Sequence, residues 1–137
     1  MTSSSDGVEL CGLVARLGQR MDAHVRGAAE KLGITASQAI ALREMDEPLT
    51  LTELAERMSC ERSNAGYVID RMEKQGLVRR EPHPSDRRAK ILTLTEDGQG
   101  CRRNVLDALS HDAPIDALSR NEQAALANLL RRATAQR

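Results

Sequence analysis

The chain has 137 residues, enough for one compact domain with or without oligomerisation arms. It is 40% hydrophobic and 29% charged, which excludes a disordered tail, and its 20 Lys+Arg balance its 20 Asp+Glu, which is not the usual footprint of a nucleic-acid binder. Tyr67 is the sole aromatic residue, so binders that stack single-stranded bases or RNA on aromatic platforms are excluded. The core has to be built from Leu, Val, Ile, Met and Ala.

Residues 1–5 read as a disordered tail, with Ser5 or Asp6 as the N-cap of a first helix over about 6–32. Neither a secretory signal nor an apolar run of membrane-spanning length is visible, so a cytoplasmic protein is expected. Leu10, Leu13, Val14, Leu17, Met21, Val25 and Ala28 recur at helical spacing and make one apolar stripe. Gly33 ends this helix. Thr35-Ala36-Ser37-Gln38 has the spacing of a capping box and opens a second helix that stops before Pro48.

Leu49-Thr50-Leu51 is long enough for one bridging strand only. Thr50 to Glu53 forms a second capping box, opening a short helix with Leu54, Ala55 and Met58 inward. After a turn at Ser59-Cys60-Glu61, a helix over about 61–75 places Ala65, Val68, Ile69 and Met72 on one face. Gly76 stands where a left-handed residue is wanted, and Leu77 is positioned to touch Met72 as in a Schellman cap. Strands at 77–81 and 90–94 flank a polar loop, 82–89, and read as a hairpin with a long tip. Thr95 caps a further helix carrying Val105, Leu106 and Leu109. Ser119 to Glu122 is a third capping box, and the last helix is expected to bury Leu126, Leu129 and Leu130.

Two short helices joined by a tight turn and followed by a hairpin define a mainly α (α+β) fold, a winged helix-turn-helix over 33–94. The helices over 6–32 and 95–137 are too apolar for so small a centre to cover. They are expected to be N- and C-terminal dimerisation helices, with a second copy of the chain covering them about a two-fold axis.

The ordered series Leu54-Ala55, Asp70-Arg71-Met72-Glu73 with Gly76-Leu77-Val78, Asp86-Arg87-Arg88 and Leu94-Thr95-Glu96-Asp97-Gly98 resembles the multiple-antibiotic-resistance regulator (MarR) family. The match spans roughly 35–98. The resemblance implies a homodimeric regulator of double-stranded DNA, usually a repressor released by a small phenolic or other ligand or by cysteine oxidation. Ala65 and Gly66 depart from the family pattern, which has a β-branched residue and a threonine there. A mid-helix glycine costs about 1 kcal/mol relative to alanine.

Net charge conceals a distribution. Between Arg57 and Lys90 nine Lys/Arg face five Asp/Glu, a local excess of four that the rest of the chain balances. Phosphate contacts require local positive potential rather than a basic chain. The helix at 61–75 is expected to read the major groove, with Arg62, Ser63, Asn64 and Tyr67 as base-edge candidates. Arg71 and Lys74 are expected at phosphates or in structural roles. In the wing, 82–89, the resemblance makes Arg88 the residue for the minor groove, with Asp86 orienting it and Arg87 at phosphates. A pseudo-palindromic operator follows from the two-fold dimer.

Arg16 and Arg20 are candidates for pairing with a small aromatic or anionic ligand. Of the three cysteines, at least two are expected to be small buried hydrophobes, Cys11 among them, and Cys60 is the redox candidate because it precedes the reading helix. His24, His83 and His111 have no metal-ligand spacing, so neither metal nor cofactor is expected. No nucleophile motif or phosphate loop points to an enzyme. The alternative is a winged-helix protein-interaction module that does not bind DNA, which would not need the wing arginines or the local positive charge.

Overall fold

The computed structural model describes residues 4–135. Their elements are α1 (Ser4–Leu32), α2 (Ala36–Glu44), α3 (Leu51–Met58), α4 (Arg62–Lys74), β1 (Val78–Pro82), β2 (Lys90–Leu94), α5 (Glu96–Leu109) and α6 (Arg120–Thr134). The first three residues of the expected tail lie outside the described residues. Ser4 and Ser5 belong to α1, so Ser5 and Asp6 stand inside its first turn and not at its cap.

Local chemistry sets the boundaries. Thr35, Thr50 and Ser119 each accept the N3 amide and receive the N3 side chain on their own amide, so all three capping boxes form. Gly33 and Gly76 adopt φ of +70° and +76°. At the second, the Leu77 amide donates to Met72 O at 2.9 Å and the Gly76 amide to Glu73 O at 3.0 Å, the bond pair of a Schellman cap. This cap turns the chain from α4 directly into β1.

The described residues divide into two compact units. The larger runs from Asp22 to His111 and contains the winged helix-turn-helix. Its hairpin is antiparallel, with Val78 opposite Leu94 and Pro82 opposite Lys90. Leu49 adds a single bridge to Leu92, exchanging bonds of 3.3 and 2.8 Å, which is the short strand expected before α3. Leu42, Leu49, Leu54, Ile69, Met72 and Leu92 are completely enclosed and join α2, α3, α4 and the sheet into one core.

The unit is wider than the expected 33–94. The second part of α1 supplies Val25 and Ala29 to the core, and α5 supplies Val105. Arg102 on α5 donates to Leu42 O at 2.9 Å, a carbonyl to which the end of α2 supplies only the long 3.4 Å bond from the Met45 amide. His24 on α1 bonds Leu109 O at 2.7 Å. These long-range bonds, which local patterning does not reveal, attach half of the expected dimerisation helices to this larger unit. Gln38, the one buried polar side chain among the described residues, donates to Gln75 Oε1 at 2.9 Å and so ties α2 to the C-cap of α4.

The smaller unit holds the described residues up to Met21 and those from Asp112 onward. Here the expected burial is corrected. Val8, Leu10, Leu13 and Val14 are exposed, as are Leu129 and Leu130, with Leu126 half-buried. Cys11 is exposed and Cys60 and Cys101 are intermediate, so the expectation of at least two buried cysteines does not hold in the single chain. Helical spacing identifies an apolar face but not what covers it. No helix of the described residues is long and apolar enough to cross a membrane.

Candidate nucleic-acid interface

α4 is amphipathic in the way its spacing dictates. Ala65, Ile69 and Met72 are buried, while Arg62, Ser63, Asn64, Asp70, Arg71 and Lys74 are exposed. Tyr67 is 74% exposed and therefore no core filler. A Cβ at Gly66 would meet only Leu51 at an ordinary 3.7 Å, so the fold itself does not require glycine there.

Ion pairing sorts the basic residues. Arg57 spans Asp46 at 2.8 Å and Glu47 at 3.0 Å, and also donates to Glu44 O at 3.0 Å. Arg80 on β1 reaches back to Asp70 at 2.7 Å and Glu73 at 2.8 Å on α4. Arg79 pairs with Glu81 at 3.3 Å. Those three cations are compensated by neighbouring acids. Arg62, Arg71, Lys74, Arg87, Arg88 and Lys90 have no ion pair among the described residues. Asp70 is thus a structural anchor for Arg80, which braces the hairpin against α4. Burial of the guanidinium is only partial, and its bonds to Asp70 raise its already high pKa.

The Arg57 clip has a pH signature. Its hydrogen bond holds the Asp46 carboxyl below the usual carboxylate range. A carboxylate pKa depressed on folding contributes stability that is full above the unfolded value, about pH 4, and is lost as pH falls through the folded value. Both partners are substantially exposed, so the step is small. In denaturant titrations, Asp46→Asn is expected to be less stable than the parent at pH 6, with the difference vanishing in strong acid.

In the wing, the Asp86 carboxylate accepts the backbone N–H of Arg88 at 3.0 Å. The expected orienting role of Asp86 therefore acts on the main chain, not on the guanidinium. Arg62 at the start of α4, and Arg88 and Lys90 of the hairpin, line one cleft of about 380 Å³, with Thr50 and Thr52 at the start of α3 on its wall. A second cleft, of about 320 Å³, brings Cys60 beside Met58, Asn64 and Tyr67. Arg16 and Arg20 lie on α1 in the smaller unit and line neither cleft. Arg16 makes a marginal 3.5 Å contact to Gly12 O on its own helix.

Signals missed by sequence reading are the acids opposite Arg57 and Arg80, and the Arg102 and Gln38 bonds. All join residues at least seven apart. A helix-turn-helix with an exposed basic second helix and a basic wing in one cleft defines the winged-helix class of nucleic-acid-binding folds.

Within that class, the chain belongs to the MarR family of transcriptional regulators, whose family model matches residues 34–90. It is similar to the organic hydroperoxide resistance transcriptional regulator of Bacillus subtilis, at 30% identity over 72% of this chain and 69% of that protein. It spans about half the length of several further curated relatives. Among solved structures, wild-type MarR from E. coli superposes with a TM-score of 0.72 at 26% identity, covering 90% of this chain and 95% of that one. A mutant of the same protein in complex with operator DNA gives 0.71 at 24% identity, over 96% and 99% of the chains.

Proposed function

We propose that the protein is a homodimeric, sequence-specific regulator of double-stranded DNA, acting as a repressor, with α4 in the major groove and the wing at the minor groove. The observation that carries this reading is the shared cleft wall of Arg62 on α4 with Arg88 and Lys90 of the hairpin, three cations with no ion pair among the described residues that outnumber the one acid there, Asp86. Six such cations lie on α4 and the hairpin, a density that a protein-interaction module would not need. A mutant of E. coli MarR, one of the structural relatives, is known in complex with operator DNA.

In this reading Arg62, Ser63, Asn64 and Tyr67 meet base edges, and Arg71, Lys74 and Arg87 meet phosphates. The exposed apolar side chains of α1 and α6 are covered by a second copy, which sets two reading units on one pseudo-palindrome. A small anionic or aromatic ligand, for which Arg16 and Arg20 are the candidates, or oxidation of Cys60 relieves repression. Cys60 lines a cleft with Asn64 and Tyr67, so a change at its thiol reaches two base-edge candidates directly.

Selection of bound sequences from a random duplex pool tests the function. The expected consensus is a pseudo-palindrome with half-sites about 10 base pairs apart. Affinity for it is expected to fall about a thousandfold between 50 and 200 mM salt, as for six or more phosphate contacts. A flat salt dependence with no consensus favours the protein-interaction module instead.

A further inference from the structure

His83 stands at the entrance of the wing loop, between Pro82 and Pro84, and is half-buried. Its Nδ1 lies 3.0 Å from the Ser85 amide nitrogen and 3.1 Å from that of Asp86, and accepts from both. Pro84 has no N–H, so these are the first two amides available beyond the ring. A nitrogen that accepts two bonds carries no proton, and the neutral ring therefore holds its proton on Nε2.

The loop has few other bonds. The His83 amide donates to Ala89 O at 3.3 Å, and the Ala89 amide to Asp86 O at 3.1 Å. Asp86 in turn holds the Arg88 amide through its carboxylate. A continuous series thus runs from the imidazole to the Asp86 main chain, to the Asp86 side chain, to Arg88.

We propose that His83 is a positioning residue of the wing, whose unprotonated Nδ1 holds residues 83–89 in the shape that presents Arg88, and whose protonation releases that shape. The consequence for DNA rests on the function proposed above, whereas the hold on the loop does not. Protonated Nδ1 is a donor facing two donors, so both bonds are lost together and the ring has to turn away. Histidine is the side chain whose charge ordinarily changes between about pH 5 and 8. Of the charges around the ring, Glu53 on α3 senses it electrostatically, while Asp86, Arg87 and Arg88 share its loop and Glu81 and Lys90 lie on the flanking strands.

The full chain tests this without DNA first. Long-range proton–nitrogen spectra at pH 8 are expected to report the Nε2–H tautomer of His83. On acidification the Ser85 and Asp86 amide resonances should move in step with the ring. An Nδ1–H tautomer at pH 8, or amides indifferent to the ring, overturns the proposal.

DNA titrations at constant salt then read the consequence. At pH 8, His83→Ala is expected to weaken binding about fivefold, the loss of one or two ordinary hydrogen bonds' worth of preorganisation. His83→Asn keeps an acceptor oxygen where Nδ1 was and should stay within about twofold of the parent. Because that amide does not titrate, the parent should lose up to about fivefold relative to His83→Asn as acid protonates the ring. A parent that gains on His83→Asn in acid makes the imidazolium a phosphate contact and overturns the proposal. The expected spectra without DNA binding by any variant would refute the DNA reading and leave the loop assignment standing.

Discussion

Gly98→Ala is expected to destabilise the reading unit by about 3 kcal/mol or more, at or beyond the upper end of what overpacking costs. Gly98 lies in the first turn of α5, where a Cβ would overlap the Leu77 carbonyl and crowd Leu94 Cδ2 at 3.2 Å. The Leu77 carbonyl cannot retreat, because it accepts the Thr95 amide at 3.0 Å. The Thr95 hydroxyl meanwhile donates to Gly76 O at 2.6 Å and accepts the Gly98 amide at 3.1 Å. The clash is thus with main chain held from both sides and not with a flexible side-chain end. A domain has only about 5–15 kcal/mol of net stability, so the loss shows as a large shift of the denaturant midpoint. An unchanged midpoint would mean that α5 can slide away from the hairpin, and the close approach would carry no energetic weight.

Arg88→Ala is expected to weaken operator binding at least tenfold while leaving the thermal unfolding curve in place. Arg88 is exposed, has no ion pair among the described residues, and its backbone is already held by Asp86. Truncating it removes an exposed, unpaired cation that the proposed function places at the groove, and nothing that the core uses. Fluorescence anisotropy with the selected duplex, set beside circular dichroism melting, separates the two effects. Equal affinity of the variant and its parent would refute the minor-groove role. Arg80 offers the contrast: it is bonded to Asp70 and Glu73, so its loss would act through the seating of the hairpin on α4.

Much of the reading unit is legible along the chain because its signals are short-range. Capping boxes span four residues, and the Gly76 cap involves only the turn that precedes it. The face of α4 follows from the 3.6-residue period, which correctly sets Ala65, Ile69 and Met72 inward and leaves Tyr67 outside. The same period gave the apolar stripe of α1 and the leucines of α6 but not their burial. Whether Leu13 or Leu129 is covered depends on a surface that has no local sequence signal.

The charge pattern marks the same boundary. Counting residues locates a basic segment between Arg57 and Lys90. It does not reveal that Arg57, Arg79 and Arg80 are occupied by acids while Arg62, Arg71, Lys74, Arg87, Arg88 and Lys90 are not. The resemblance has Asp86 orienting Arg88, but only the folded loop shows that the carboxylate does so through the arginine main chain. Sequence reading places His83 in the wing but not the two amides on its Nδ1, which become visible only once the loop has closed.

By itself, then, the sequence determined the order of elements, their caps, the inward face of α4 and the family, because each depends on chemistry within a turn or two of chain. Tertiary structure alone decided which cations stay free, why Gly98 bears no side chain, and how far the reading unit extends into α1 and α5. Those depend on groups distant along the chain meeting within a few ångströms, and attraction or overlap at that range is a property of the packed fold.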